Sequence, residues 1–299
     1  MSTVAAIDCG TNTIKLLIGD LPTVTLVETR MVRLGQGVDR TGRLADGALA
    51  RTFAAIDEFA ALIAAHRVER IRFCATSASR DADNSDVFTA GVRERLGVEP
   101  EVISGAEEAA LAFDGAIRNL RVSVARPLLV VDIGGGSTEL ILGDDKPRST
   151  CSMDIGSVRL HERHLHADPP TPAQVAAAVA DIDAALHACP VAPGEAAGVV
   201  GIAGTMCTLA AGVLDLPSYD KSRIDQAVLS VADVHAYVER LLAMTVEQRL
   251  ALPYLHPGRA DVIGAGGLIV SRVLARTSVA EVVASESDIL QGIAWSMVR

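Results

Sequence analysis

The chain has 299 residues, of which 49% are hydrophobic but only 3% aromatic, and its formal net charge is −10. That length favours two domains of roughly 150 residues, with cores built from aliphatic side chains. The acidic balance excludes a general nucleic-acid binder, whose affinity rests on Lys and Arg neutralising phosphates, but leaves room for one phosphorylated ligand held locally. No apolar run reaches the roughly 18 residues of a membrane span, and Met1-Ser2-Thr3-Val4 lacks the basic start of a signal peptide. A cytoplasmic protein without membrane attachment is expected. Cys9, Cys74, Cys151, Cys189 and Cys207 are scattered and form no C-x-x-C, so neither a disulfide framework nor a zinc site is indicated.

Val4 to Asp8 reads as an apolar strand ending in an aspartate, followed by Cys9-Gly10-Thr11-Asn12-Thr13 and a second apolar run from Ile14 to Ile18. Strand-like spacing continues from Thr23 to Leu34, and Gly35-Gln36-Gly37 with Thr41-Gly42 marks a loop. The local enrichment of Arg30, Arg33, Arg40, Arg43 and Arg51 fits a binding surface and a solvated basic face equally well. Leu49, Phe53, Ile56, Phe59, Leu62 and Ile63 fall at steps of three and four, predicting a helix that ends near His66. Arg70 to Thr76 is a strand, Asp86 to Leu96 a helix and Glu101 to Ile103 a short strand. Strands alternating with helices indicate an α/β fold.

Ser104-Gly105-Ala106-Glu107 has the S-x-x-E spacing of a capping box, which occupies Glu107 at the helix N-terminus and leaves Glu108, about 100° further round, free to face something else. A domain boundary is expected between Arg121 and Pro127. Beyond it, Val130-Val131-Asp132-Ile133 leads into Gly134-Gly135-Gly136-Ser137-Thr138-Glu139 and a second apolar run ending at Gly143-Asp144. Three glycines allow backbone N–H groups to converge on one anion, and Ser137 and Thr138 add hydroxyl donors. Asp132 and Glu139 supply the hard oxygen ligands that magnesium takes. The first hairpin repeats this pattern at one offset of 124 residues: Asp8 matches Asp132, Gly10 matches Gly134, Leu16 matches Leu140 and Gly19 matches Gly143. Such self-similarity suggests a duplicated unit.

A strand is expected over Arg148 to Asp154, followed by a helix opened by Gly156-Ser157. His161, His164 and His166 lack zinc-protease spacing and read as a solvated helix end. Pro172 starts an Ala-rich helix running to about His187. Val199 to Ala203 is a strand leading through Gly204-Thr205 into a helix from Met206 to Leu214, a third place where an anion can meet a helix N-terminus. Helices follow over Val231 to Ala243, Val246 to Leu252 and Arg259 to Ala275, then a strand from Val279 to Ala284 and a terminal helix capped by Ser287-Asp288.

Taken in order, several segments resemble the exopolyphosphatase and guanosine pentaphosphate phosphohydrolase family of the actin, Hsp70 and sugar-kinase superfamily. They are Ile7 to Thr13, Ala75-Thr76-Ser77-Ala78-Ser79-Arg80-Asp81-Ala82, Glu101 to Ala109, Val131 to Gly143, Gly201-Ile202-Ala203-Gly204-Thr205 and Arg259-Ala260-Asp261-Val262-Ile263. The resemblance implies two ribonuclease-H-like lobes, residues 1–124 with 285–299 and residues 125–284, with an active-site cleft between them. It implies metal-dependent hydrolysis of terminal phosphate from inorganic polyphosphate, with Mg2+ or Mn2+. Carried over position by position, Glu108 is the catalytic carboxylate and Arg80 neutralises charge. Asp132, Glu139 and Asp8 serve the metal, while Thr11, Asn12, Thr13, Gly134, Gly135, Gly136, Ser137, Thr138, Gly204 and Thr205 hold phosphate.

The sequence departs from the family pattern at Lys15, where an aromatic–His pair is usual, and at Ala110, where an arginine is common. The additional helical domain of longer members does not follow the two lobes, which favours short polyphosphate chains. Hydrolysis of guanosine pentaphosphate (pppGpp) on the same site stays open, as does a homodimer. So does a reading of another class, a nucleotide-gated binding protein like actin or a chaperone.

Overall fold

In the computed structural model, which describes residues 3–298, the apolar runs pair into two separate mixed sheets. The first holds β1 (Val4–Cys9), β2 (Thr13–Asp20), β3 (Thr23–Met31), β4 (Arg70–Ala75) and β5 (Glu101–Val102) in the order β3-β2-β1-β4-β5. The second holds β6 (Leu128–Ile133), β7 (Thr138–Gly143), β8 (Pro147–Met153), β9 (Gly198–Ile202), β10 (Val228–Ser230) and β11 (Glu281–Ala284) in the order β10-β11-β9-β6-β7-β8. Both sheets are built alike. A three-stranded antiparallel meander supplies one side, and its first strand takes a parallel neighbour, β4 or β9, delivered by a helical crossover. This is the expected α/β architecture. Contacts divide the chain into Met1–Gly115 with Ile289–Arg299 and Ala116–Asp288, where the sequence placed the divisions at 124/125 and 284/285.

In the first unit, Ile7, Ile14, Leu16 and Ile18 of the hairpin meet Leu49, Ile56, Phe59 and Ile63 from the helix Asp46–Ala65 and Phe88 and Val92 from the helix Ser85–Leu96. Arginine 72 ties three elements of this unit together, donating to Glu101 Oε2 at 2.7 Å, Glu107 Oε1 at 2.7 Å and Ser296 Oγ at 2.7 Å. Ser296 ends the terminal helix Ile289–Ser296. A Cβ at Gly292 of that helix would collide with the carbonyl of Leu111, so glycine lets the helix Gly105–Arg118 pass at backbone distance.

The second unit buries β6 and β9 along their whole length, which is why they read as unbroken apolar runs and not as alternating ones. Helices Ser157–His164, Pro172–Ala188, Ala203–Val213, Val231–Ala243 and Ile263–Leu274 pack on this sheet. Pro172 stands at the first helical position, with Thr171 and Gln174 forming a full capping box. Three expectations shift. The helix expected from Met206 begins at Ala203, so Gly204 and Thr205 lie in its first turn. Arg259 falls in a separate 3-10 turn, Pro257–Arg259, and the helix begins only at Ile263, because Pro257 already fixes a tighter turn. A four-residue helix, Val38–Thr41, occupies the expected loop between left-handed Gly37 and Gly42. Among the described residues no helix is long and apolar enough to cross a membrane.

Candidate active site

Asp8 and Lys15 face each other across the first hairpin, with Lys15 Nζ 3.9 Å from Asp8 Oδ2 and both side chains mostly buried, at 14% and 8% exposure. The turn between them is closed by Gly10 N donating to Thr13 O at 2.9 Å. The segment after β3 braces it: Val32 N and Arg33 N both donate to Asn12 O at 3.0 Å, and Gly35 N donates to Thr11 O at 2.9 Å. The Asn12 side chain is buried, and neither its Nδ2 nor its Oδ1 has a hydrogen-bond partner. An amide left in that state costs folding free energy, on the order of 1–3 kcal/mol for each unmet group.

β4 ends at Ala75, and the short helix Ser77–Arg80 that follows delivers Arg80 to Glu108. Arg80 Nη1 donates to Glu108 Oε2 at 2.6 Å and also to Ile103 O at 2.9 Å. Glu108 is only 7% exposed. Burial pushes its carboxyl above the ordinary glutamate range, while Arg80 and the Thr76 hydroxyl pull in the other direction. Ser104 does cap the helix, its Oγ accepting from Glu107 N at 3.2 Å, but the Glu107 carboxylate does not reach back as expected. It turns to Arg72. The two adjacent glutamates are still separated in role, by an arginine and not by a capping box.

In the second hairpin, Gly134 N donates to Ser137 O at 3.0 Å, the same closure as in the first. The start of the helix Ser157–His164 occupies the carbonyls of the glycine turn. Ser157 N donates to Gly134 O at 3.0 Å, Val158 N to Gly135 O at 2.9 Å and Arg159 Nε to Gly136 O at 2.8 Å. Gly156 is in turn so close to Gly135 that a Cβ would overlap its carbonyl. The carbonyls of all three glycines are thereby bonded to the start of this helix. Asp132 and Glu139 are directly opposite in register. Glu139 is 1% exposed and accepts a hydrogen bond from Ser152 Oγ at 2.7 Å. Among the described residues no group of three or more His, Cys, Asp or Glu is arranged to hold a metal.

Two hydroxyls assigned to phosphate face inward. Thr138 is fully buried and donates to Ile155 O at 2.7 Å, and Thr205 Oγ1 donates to Ile133 O at 3.1 Å. These bonds fasten the hairpin to its neighbours, leaving Ser137 as the hydroxyl of this turn without such an anchor. Asp8, assigned to the metal, already has the Lys15 ammonium beside it.

Arg259 opens one of the matching segments, Arg259 to Ile263, but carries no assigned role in the sequence reading. Its guanidinium packs on Gly204, where a Cβ would collide with it. Burial lowers its pKa, opposed by the field of Tyr219, Cys207, Glu286 and Asp288, and Tyr219 OH is held by Glu286 Oε1 at 2.6 Å. The turn carrying Arg259 is fixed by Arg249, which donates to Ala260 O, Leu241 O and Met244 O, each at 2.9 Å. The signal was Pro257-Gly258 immediately before it, which sets the arginine on a turn and not inside a helix.

Residues 16–299 match the Ppx/GppA phosphatase family. The chain is 46% identical over 316 aligned residues to exopolyphosphatase 2 of Mycobacterium tuberculosis, covering 99% of each. Among solved structures it superposes on an exopolyphosphatase-like protein with TM-score 0.95 at 43% identity, covering 99% of this chain and 98% of that one. An exopolyphosphatase from Cytophaga hutchinsonii superposes with TM-score 0.91 at 26% identity over 99% and 98% of the two chains.

Proposed function

The chain belongs to the Ppx/GppA phosphatase family, and from that membership we propose that it is an exopolyphosphatase, hydrolysing the terminal phosphoanhydride bond of inorganic polyphosphate with Mg2+ or Mn2+. The observation that carries this reading is the buried Glu108, set against Arg80 by a 2.6 Å hydrogen bond and lifted above the usual carboxylate range by burial. A carboxylate so placed orients a water molecule and takes its proton as the new P–O bond forms and the phosphoanhydride bond breaks. Arg80 holds that carboxylate and neutralises charge. Donors for the equatorial oxygens come from the N–H groups of Gly135, Gly136 and Ser137, the first turn of the helix at Gly204, the Asn12 amide and Arg259.

Asp132 and Glu139 suit a hard divalent cation. Magnesium is bound through one or two carboxylates with waters and substrate phosphates completing the shell, which is what an incomplete pair of carboxylates requires. Once bound, the cation would neutralise charge developing on the transferred phosphoryl group. In this reading Lys15, not a metal, answers the charge of Asp8.

Phosphate release from triphosphate, from chains of defined length and from pppGpp, each with and without Mg2+ or Mn2+, tests the proposal. Metal-dependent release from polyphosphate is the expected result. Release from pppGpp alone would transfer the activity to the nucleotide, and stabilisation by ATP without any release would favour a nucleotide-gated binding protein.

A further inference from the structure

The turn that carries Arg259 is held from two sides. Downstream, the buried Arg249 donates to Ala260 O at 2.9 Å. Upstream, His256 stands at the N-cap of the turn Pro257–Arg259, its carbonyl accepting from Arg259 N at 2.9 Å and its ring Nδ1 accepting from Gly258 N at 3.0 Å. Pro257 has no N–H, so Gly258 supplies the first donor of this turn, and a donor in a first turn finds no acceptor within the turn itself. Gly258 also has the backbone freedom of a glycine and immediately precedes Arg259. The ring nitrogen therefore holds the peptide from which the arginine departs.

A side-chain acceptor bonded to the N–H two residues on is the arrangement of an Asx turn, with an imidazole nitrogen where asparagine would place its oxygen. It requires a ring nitrogen that carries no proton, hence a neutral imidazole. Partial burial and then the Arg259 charge hold the His256 pKa below the ordinary histidine range, which favours that form.

What the cap governs is where a positive charge sits. The Arg259 guanidinium lies against Gly204, in the first turn of the helix Ala203–Val213, so close that a Cβ there would overlap it. The helix backbone limits the side chain at its far end, and the direction in which the turn releases it decides whether it arrives. Rotation of the peptide between Gly258 and Arg259 changes that direction. His256 itself lies at the surface, so replacing it opens no cavity in the core.

We propose that His256 is a positioning residue: by capping Gly258 it fixes the direction in which Arg259 leaves its turn, seats the guanidinium on Gly204 and so sets the affinity for a phosphate chain. The seating of Arg259 stands on the geometry; its consequence for binding rests on the polyphosphate reading above.

The test compares the full chain with His256→Ala and with His256→Asn, whose side-chain oxygen can accept the same N–H. It reads the Kd of inorganic triphosphate by calorimetry without divalent metal, kcat and KM for phosphate release with Mn2+, and the place of Arg259 in crystal structures of both variants. The Kd should rise by about tenfold in His256→Ala, the low end of what a hydrogen bond to a charged group contributes, and stay within about twofold of the wild type in His256→Asn. KM should follow Kd with kcat nearly unchanged, because an arginine that grips phosphate before and during the reaction supplies uniform binding. An unchanged Kd in His256→Ala, or His256→Asn as weak as His256→Ala, would overturn the role. So would an Arg259 still seated on Gly204 in His256→Ala. If the wild type neither binds nor hydrolyses triphosphate, the polyphosphate reading fails, and the seat of Arg259 in the two variant structures still decides the inference.

Discussion

At corresponding positions the first hairpin sets Lys15 opposite Asp8, and the second sets Glu139 opposite Asp132. The backbones around these pairs are close copies. Gly10 N closes on Thr13 O as Gly134 N closes on Ser137 O, and each hairpin has a bulge ending at a glycine, Gly19 or Gly143, where a Cβ would collide with a carbonyl across the turn. One duplicated backbone thus carries opposite electrostatics. The first hairpin pairs its aspartate with a lysine, whereas the second sets a glutamate opposite its aspartate. If the proposed roles hold, metal binding should follow the second hairpin alone, while Glu108, the proposed proton acceptor, belongs to the unit of the first.

The largest expected effect tests that division of labour. Glu108→Gln should lower phosphate release by about 10²-fold or more, the range for losing a general base, with the Mn2+ thermal shift unchanged; near-normal release would remove Glu108 from the chemistry. Next comes its arginine. Because Glu108 must be deprotonated to act and Arg80 favours the charged form, Arg80→Gln should move the acid limb of the pH–rate profile to higher pH by about one unit or more. An unmoved limb would mean that this pair does not tune the reaction.

A smaller change is expected at Ser152→Ala, which should weaken apparent Mn2+ affinity by about tenfold, whereas Lys15→Met should leave that affinity unchanged. Equal effects of the two substitutions would abolish the contrast between the hairpins. The smallest effect on turnover is expected at Thr138→Val. Loss of its bond to Ile155 should cost about 1 kcal/mol of stability, read as a lower melting temperature, with release per folded molecule unaffected. A large loss of turnover instead would restore Thr138 to the phosphate-binding set.

Much of this arrangement was legible in the sequence because its parts are local. Two apolar runs joined by a glycine turn fix a hairpin, and an aspartate closing the first run fixes which end of the strand it occupies. The spacing from Leu49 to Ile63 fixed a helix for the same reason. What could not be read depends on partners distant in sequence. Whether Thr138 and Thr205 face a ligand or a neighbouring carbonyl is decided by Ile155 and Ile133, which no spacing rule connects to them. Glu107 was separated from Glu108 correctly but for a different reason, since Arg72 lies 35 residues away. Arg259, quoted in a matching segment, was assigned to a helix, whereas it lies in the turn Pro257–Arg259.

The contact of Gly156 with Gly135, together with the bonds that Ser157, Val158 and Arg159 make to the glycine turn, bears on how portable this element is. The Asp132 to Glu139 segment looks like a self-sufficient cassette, yet its curvature is imposed by a mould some twenty residues downstream. Transplanted into another hairpin without that mould, it would keep its letters and lose its shape, because three glycines in a row supply freedom and not form. The transferable unit is the turn together with the helix start that grips it.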